Sequence, residues 1–167
     1  MGERQILEKS KHPFIIRLYA AFTTRHQLHF VLDFCPGGDL FFHLSRKGRF
    51  SEAAAKFYFC EVLLALEYLH ETGVVYRDLK PENIMLDIDG HVRLTDFGLS
   101  KAGLAPNGLT SSFCGSAEYM SPEMLRCDTH GRMVDFYSLG VLLYELLIGL
   151  PPFYSNNREE MYNSIMY

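Results

Sequence analysis

The sequence lacks the features that mark secreted, membrane-spanning or nucleic-acid-binding proteins. It has only four cysteines, widely spaced and without a CxxC pair, which is typical of reduced thiols in an intracellular protein. The formal net charge of −4 gives no reason to expect nucleic acid or an anionic membrane as a partner. There is no signal peptide and no apolar run long enough to cross a bilayer. We therefore expect an intracellular protein, in the cytoplasm or also in the nucleus, with no membrane insertion.

Glycine is nearly absent from the beginning of the chain. Gly2 is the only glycine before Gly37, so no glycine-rich loop that could cradle phosphates occurs in that part. The composition is otherwise that of a globular protein, with 48% apolar and 22% charged residues. A chain of 167 residues is long enough for one domain with a sizeable core.

One stretch, Tyr76 to Gly98 (YRDLKPENIMLDIDGHVRLTDFG), organises the rest of the chain. Ile84 to Asp87 is typical of a short strand, and the alternation over residues 92–95 indicates a second, half-buried strand. Asp89-Gly90 between them can take the positive φ values of a tight hairpin turn. The pattern predicts a two-stranded hairpin whose flanking loops come together.

The loops that flank this hairpin carry the residues that suggest chemistry. We expect the carboxylates of Asp78 and Asp96 to lie close in space, with Asn83 on the same stretch. Two carboxylates and a carboxamide are the hard oxygen ligands that Mg²⁺ needs when it bridges phosphates. Lys80 can offset the charge of a transferring phosphoryl group. The alternative is a hairpin with solvated charges at its ends.

The pair YRDLKPEN and DFG resembles the catalytic and magnesium-binding loops of eukaryotic protein kinases. Tyr76 stands where many kinases have His, as in the AGC group of serine/threonine kinases. The segment GLPPFYSNNREEMY further resembles the branch of serum/glucocorticoid-regulated and ribosomal-S6 kinases. The expected reaction is transfer of the γ-phosphoryl group of ATP to a Ser or Thr hydroxyl of a protein, with ATP and Mg²⁺ as cofactors.

The sequence pattern also predicts the other helices and strands. In chain order these are a helix end over 1–11, strands over 15–22 and 28–34, helices over 39–47 and from the Ser51 N-cap to Gly73, a long loop over 99–112, and helices over 133–149 and 157–166. The helix over 133–149 is apolar nearly all round, so we expect it to be buried. By resemblance, its Asp135 matches the Asp that holds the catalytic loop from below.

The resemblance implies an α+β, protein-kinase-like fold that is truncated at both ends. Residues 1–34 match the end of the small lobe, with the end of the C helix, the fourth and fifth strands and the start of the hinge. Residues 35–167 match part of a mostly helical large lobe, from the hinge exit through the catalytic loop and activation segment to the F helix and the helix after it. Four side chains match the apolar spine that couples the lobes: Leu7, Leu18, Tyr76 and Phe97.

The resemblance assigns roles at the catalytic centre and the nucleotide site. Asp78 would orient the attacking hydroxyl and accept its proton, and Lys80 would stabilise the transferring phosphoryl group. Asn83 and Asp96 would hold magnesium. The expected ATP-binding residues are Glu3, Leu32, Asp33, Cys35 and Met85.

Substrate and regulatory residues follow from the same resemblance. Asp39, Glu82 and Glu145 match positions that bind Arg residues preceding the target, which implies basic protein substrates; the alternative is three unrelated surface acids. The other two expected substrate-binding residues are Phe113, which would shape the pocket for the residue after the target, and Ser116, which could bond Asp78. Ser112 matches a phosphorylated position that Arg77 and Lys101 would bind, so an upstream activating kinase is an expected partner. Thr110 and Ser111 are alternative phosphosites.

The sequence departs from a complete kinase in several respects. It lacks the glycine-rich loop and the Lys that positions ATP by pairing with Glu3, and no helices match those expected after Asn163. We therefore expect an internal fragment of a longer protein, inactive or nearly so by itself and poorly stable. A competing interpretation is a pseudokinase or docking scaffold, against which the retained Asp78, Asn83 and Asp96 argue. A small-molecule kinase is a weaker third interpretation, because it would not need the Ser112 segment.

Overall fold

A computed structural model describes residues 2–105 and 108–167 of the chain. The described elements are α1 (Glu3–Lys9), β1 (Leu18–Thr23), β2 (Leu28–Leu32), α2 (Leu40–Lys47), α3 (Glu52–Glu71), β3 (Val74–Val75), β4 (Ile84–Leu86), β5 (Val92–Leu94), β6 (Lys101–Ala102), α4 (Pro122–Leu125), α5 (Met133–Ile148) and α6 (Arg158–Met166). Short 3₁₀ turns cover Pro81–Asn83 and Ala117–Tyr119. The predicted helical residue Met1 and residues 106–107 of the predicted loop lie outside the described residues.

Two long helices form the centre of the larger part of the molecule. α3 begins where predicted, because Ser51 Oγ accepts a hydrogen bond from the backbone nitrogen of Ala54 at 3.3 Å. It buries one apolar stripe, which consists of Ala55, Val62, Ala65, Leu66 and Leu69. This stripe and three leucines of α5 (Leu139, Leu142 and Leu146) belong to one core cluster. Burial of a side chain of this size contributes about 1.5–3 kcal/mol, so the two helices hold each other in place.

The prediction that the helix over 133–149 is buried on all sides was wrong. The face of α5 that carries Leu142 and Leu146 is fully buried. The large apolar side chains on its exposed side are Met133, Phe136, Tyr144 and Ile148. Among the described residues, α3 and the 3₁₀ turn at Ala117–Tyr119 make the main packing contacts with α5. Although the sequence of α5 is apolar nearly all round, the helix is buried on one side only.

The hairpin of β4 and β5 has the predicted antiparallel pairing, with Leu86 opposite Val92. Its turn differs from the prediction, because Gly90 has a positive φ (+86°) and Asp89 does not. The Asp87 carboxylate explains the difference: its Oδ1 accepts from the backbone nitrogens of Asp89 at 3.0 Å and His91 at 2.9 Å. This side chain stabilises a wider turn in which a single residue needs left-handed backbone.

The first strand starts at Leu18, three residues later than predicted. Ile15 pairs instead with Leu94 in an isolated bridge. Leu94 donates to Phe14 O at 2.8 Å and accepts from Ile16 N at 3.0 Å. The segment that leads into β1 is thereby hydrogen-bonded to β5, which joins the first part of the chain to the hairpin.

β1 and β2 form a two-stranded antiparallel sheet, with Leu18 opposite Leu32. Several large apolar side chains of these strands are exposed: Tyr19, Phe22, Leu28 and Val31. Within the described part of the chain, no helix has both the length and the apolar character that crossing a membrane requires.

Candidate active site

The loop before β4 is held by one buried carboxylate, that of Asp135 in α5. Its oxygens accept hydrogen bonds from the backbone nitrogens of Tyr76 at 2.8 Å and Arg77 at 2.7 Å. His70 Nε2 lies 2.7 Å from Asp135 Oδ2. A carboxylate with no exposed surface needs such partners to offset the loss of water. The predicted place of Asp135 beneath the catalytic loop agrees with this geometry.

Asp78 and Asn83 lie in direct contact at the end of that loop. Asn83 Nδ2 donates to Asp78 Oδ2 at 2.9 Å and to Asp78 O at 2.8 Å. Both side chains are more than nine-tenths buried. Because the amide nitrogen of Asn83 is used in these bonds, its Oδ1 is left as the atom that can bind a further group.

Lys80 and Ser116 complete a polar cluster around Asp78. Lys80 Nζ lies 3.4 Å from Asp78 Oδ2 and donates to Ser116 Oγ at 2.9 Å. Ser116 Oγ in turn donates to Asp78 Oδ1 at 3.4 Å. The expected bond between Ser116 and Asp78 is therefore present. It connects the segment after β6 to the loop before β4.

Asp96 lies beside this cluster on the other flank of the hairpin. The residue before it, Thr95, donates its backbone N–H to Asn83 O at 3.0 Å. Thr95 O also accepts the hydroxyl of Tyr76. Asp96 has a positive φ of 54°, uncommon outside glycine, and its Oδ1 accepts from Gly98 N at 3.2 Å. Its other carboxylate oxygen has no hydrogen-bond partner among the described residues, so it can act as a ligand.

Tyr76 separates this cluster from the core. Burial raises the pKa of Tyr76 well above its usual value, and the charges of Asp78 and Asp96 raise it further. The hydroxyl therefore stays protonated and acts as a donor. Its ring meets that of Phe97 edge-to-face at 5.3 Å. Both rings belong to the same core cluster as Leu7, and the partly buried Leu18 packs against that cluster.

Glu3 of α1 contacts the same loop from the other side. Its Oε1 accepts from the backbone nitrogen of Phe97 at 3.3 Å. The sequence alone would place the Glu3 carboxylate in solvent, but in the structure it accepts a hydrogen bond from the residue after Asp96. This contact ties α1 to the loop after β5.

The predicted hinge residues follow β2. Leu32 and Cys35 pack against the core, and burial raises the pKa of the Cys35 thiol. Asp33 Oδ2 accepts from Arg17 N at 2.9 Å, which fixes the first hinge residue to the residue directly before β1. Met85 of β4 forms an isolated bridge with Asp39, so it lies next to the hinge exit. All four cysteines of the chain are free.

Two of the three predicted substrate acids lie on one surface. The cavity that carries them has a volume of about 350 Å³; its acidic lining residues are Glu82, Glu118 and Glu145. Glu145 accepts a hydrogen bond from the Tyr119 hydroxyl. Burial raises the pKa of Glu145, and the charges of Glu82 and Glu118 add to the effect. Asp39 does not line this cavity; its Oδ1 caps α2 by accepting from Phe42 N at 2.7 Å.

The activation segment places its predicted residues on the surface. Ser112, Phe113 and Lys101 are exposed. Arg77 Nε donates to Leu99 O at 2.8 Å, while its Nη1 is buried without a partner in the described structure. None of the hydrogen bonds of the described residues joins Ser112 to Arg77 or Lys101.

The model of the protein kinase domain family matches residues 1–167. The chain belongs to the protein kinase domain family. The serine/threonine-protein kinase Sgk1 of Fundulus heteroclitus is 54% identical over 167 residues, which is 99% of this chain and 39% of that protein. Sgk1 of Danio rerio is also 54% identical, with the same shares of the two chains. Sgk2 of Homo sapiens is 53% identical over 168 residues, which is 100% of this chain and 46% of that protein.

These matches confirm the predicted kinase family, the AGC group and the α+β kinase fold. The chain spans about two-fifths of the length of the curated relatives it matches. The roles of its individual residues and its division at residue 34 stay predictions.

Sequence reasoning missed several residues that shape the site of this kinase domain. His70 shares the carboxylate of Asp135, and Glu61 contacts the turn between β4 and β5. The pairing of β3 with β6, which fixes the start of the activation segment, was also missed. No local pattern could have revealed these contacts, because each joins residues that lie far apart in the sequence.

Proposed function

We propose that the chain is the catalytic portion of a serine/threonine protein kinase that transfers the γ-phosphoryl group of ATP to a protein hydroxyl. The observation that carries the proposal is the cluster of Asp78, Lys80, Asn83 and Ser116 beside Asp96. Asp78 would orient the incoming hydroxyl and accept its proton through an oxygen that Asn83 and Ser116 hold in place. Lys80, within reach of the same carboxylate, would meet the negative charge of the phosphoryl group.

The donor set of this cluster fits Mg²⁺. Asn83 and Asp96 would hold it, because Asn83 Oδ1 and one oxygen of Asp96 are hard donors with no other partner in the described structure. Bound Mg²⁺ would neutralise charge on the ATP phosphates. ATP and Mg²⁺ are therefore the proposed cofactors of this protein kinase domain. Adenine would lie at the hinge of Asp33 and Cys35, between Met85 and Leu32.

We propose that the acidic cavity selects basic substrates. Glu82 and Glu145 line it together, and carboxylates bind a guanidinium through charge-assisted hydrogen bonds. Asp39 supports this proposal less well, since its carboxylate caps α2. Phe113, exposed at the end of the activation segment, would contact the residue that follows the target.

Regulation by an upstream kinase is proposed through Ser112. A phosphate there would carry a charge of roughly −1.5 to −2. Ser112 lies on the surface, two residues before Cys114. Burial raises the pKa of Cys114, and the charge of Arg77 partly opposes this increase. Arg77 is thus near this segment, and its buried, unpartnered Nη1 could bind the phosphate together with Lys101. We also propose an intracellular location, which the four free cysteines suit.

The test compares the full-length protein that contains this chain with its Asp78→Asn variant, using MgATP and peptides with and without Arg before a Ser. We expect turnover of the Arg-containing peptide and a loss of about 10²–10⁴-fold in kcat for the variant. The matched control is Asp128→Asn, which alters an exposed carboxylate. The 167-residue chain alone is expected to show little or no turnover.

Binding of MgATP without any transfer that depends on Asp78 would contradict the proposal and favour the pseudokinase or scaffold interpretation. A peptide library with no enrichment for upstream Arg would contradict the proposed substrate class alone. The two outcomes separate the reaction from its specificity.

A further inference from the structure

Glu61 is a buried carboxylate of α3 that has no role in the function proposed above. It is 6% exposed. Its Oε2 accepts from the backbone nitrogen of Val92 at 2.9 Å, and its Oε1 lies 2.6 Å from His91 Nδ1. A buried carboxylate is costly unless such partners are present, so this contact is a specific feature of the fold.

The contact lies at the closed end of the hairpin. Val92 is the first residue of β5, and His91 precedes it in the turn. The open end of the same hairpin carries Asn83 directly before β4 and Asp96 shortly after β5. Each strand has only three residues, and a two-stranded hairpin of this size is marginal without outside support. Backbone hydrogen bonds to Leu94 and Leu86 support the two strands, and Glu61 supports the turn from the long helix of the core.

We infer that Glu61 is a positioning residue, which with His91 fixes the hairpin that presents the magnesium-binding side chains. This inference rests on the proposed function. Asn83 and Asp96 flank the open end of one short hairpin, and the turn at its closed end is bonded to α3. A shift of the turn would move both residues relative to Asp78, which Asp135 holds through the preceding loop.

The surroundings of His91 give the contact a pH dependence. The hydrogen bond and charge of Glu61 raise the pKa of His91, its slight burial opposes this, and Asp87 and Asp89 raise it further. Arg93 also lies nearby and pairs with Asp87. Burial and the charge of Glu61 raise the pKa of Tyr58, another neighbour. The rings of Phe14 and Phe57 pack against His91.

The sign of the dependence follows from the raised pKa. The ion pair is fully present below the unfolded pKa of His, about 6.5, and is lost as the pH rises through the higher folded value. Neutral His91 can still donate from Nδ1 to Glu61. The hydrogen bond therefore survives at high pH, and only the charge interaction disappears.

The test uses Glu61→Gln, because Gln can keep the bond from Val92 N while it removes the charge. The control is Glu67→Gln, the same change at an exposed position of the same helix. NMR titration of the full-length protein should show the pKa of His91 falling toward about 6.5 in Glu61→Gln and unchanged in Glu67→Gln. The backbone amide signals of Asn83 and Asp96 should shift only in Glu61→Gln.

The second measurement is the affinity of the full-length protein for MgATP between pH 5.5 and about 8.5, a window that brackets the His pKa. Below the His91 pKa we expect Glu61→Gln to bind about tenfold more weakly, the lower end of the effect of outer-shell partners on metal sites. The MgATP affinity of Glu61→Gln divided by that of the unmodified protein should approach one at high pH. When both proteins carry His91→Gln, the affinity ratio between Glu61→Gln and Glu61 should be constant over this range, since the titrating group is gone. Protonation of ATP is common to all variants and cancels in these ratios.

Unchanged amide signals of Asn83 and Asp96 in folded Glu61→Gln would overturn the inference, and so would a ratio near one at every pH. If the unmodified protein does not bind MgATP, the proposed function fails. The amide signals then still decide whether Glu61 positions the hairpin.

Discussion

Arg77 is held in a left-handed backbone conformation by Asp135. The φ of Arg77 is 70°, and its backbone nitrogen lies 2.7 Å from Asp135 Oδ1. Residues other than glycine rarely adopt such a conformation, and it persists only where surrounding contacts enforce it. Here the contact comes from a helix that begins more than fifty residues later. It turns the chain so that Asp78 faces Asn83 and Ser116.

The first prediction concerns the removal of this charge. Asp135→Asn should lower the free energy of unfolding by about 3 kcal/mol. The new amide NH₂ is a donor that would face another donor, from Tyr76, Arg77 or His70, so a buried hydrogen bond would be lost. Urea unfolding followed by circular dichroism measures the free energy of unfolding. Asp128→Asn removes an exposed pair with Arg126 and should cost less than about 1 kcal/mol. Equal losses in the two variants would contradict the role of Asp135.

The second prediction concerns the hydroxyl between Lys80 and Asp78. Ser116→Ala should lower kcat by roughly ten- to a hundredfold, the effect of losing one charge-assisted hydrogen bond. Ser116→Thr keeps the hydroxyl and should stay close to the unmodified protein. Steady-state kinetics of the full-length protein measure both. A similar decrease in the two variants would point to crowding at this position rather than to the bond.

The third prediction uses the raised pKa of Glu145, which burial, Glu82 and Glu118 produce. A raised carboxyl pKa favours the protonated form in the folded state, so the associated stability is present below the unfolded Glu pKa of about 4.3 and is lost as the pH rises through the folded value. A guanidinium needs the ionised form. The affinity for a peptide with upstream Arg should therefore rise with pH over the same interval.

Glu145→Gln should remove this pH dependence of peptide binding while it keeps an acceptor for the Tyr119 hydroxyl. A peptide with Ala in place of Arg is the control and should show no dependence in either protein. Fluorescence anisotropy of labelled peptides provides the measurement. An unchanged dependence in the Gln variant would assign it to another group.

The fourth prediction compares Gly140, which lies inside α5, with Gly149, which follows the last residue of this helix. A Cβ on Gly149 would clash with the backbone oxygen of Gly48, and the φ of Gly149 is +100°. Gly149→Ala should therefore lower the free energy of unfolding by about 3 kcal/mol. Gly140 lies inside the helix with open space around it, so Gly140→Ala should raise the free energy by about 0.5–1 kcal/mol. Thermal unfolding of both variants tests the contrast, and a loss in each would show that Gly140 is packed.

Much of the local structure could be predicted because its causes are local. Ser51 caps a helix that starts at the next residue, as predicted, and its side chain accepts the expected backbone hydrogen bond. Asp39 and Asn157 cap helices that start one residue later than predicted. Alternating apolar residues set the pairing of β4 with β5. The predicted bounds failed where a distant partner intervened, as when Leu94 took Ile15 out of the first strand.

The amino-acid sequence by itself determined which chemical groups the candidate site contains, since the spacing of Asp78, Asn83 and Asp96 around one hairpin is a property of the chain. The sequence also determined the family, because the motifs YRDLKPEN and DFG can be identified without coordinates. The tertiary structure alone decided how these groups are held. Asp135 and Ser116 reach the site, and Glu61 reaches the turn of the hairpin, from other parts of the chain. Burial of the Asp135 and Glu61 carboxylates makes their hydrogen bonds costly to lose.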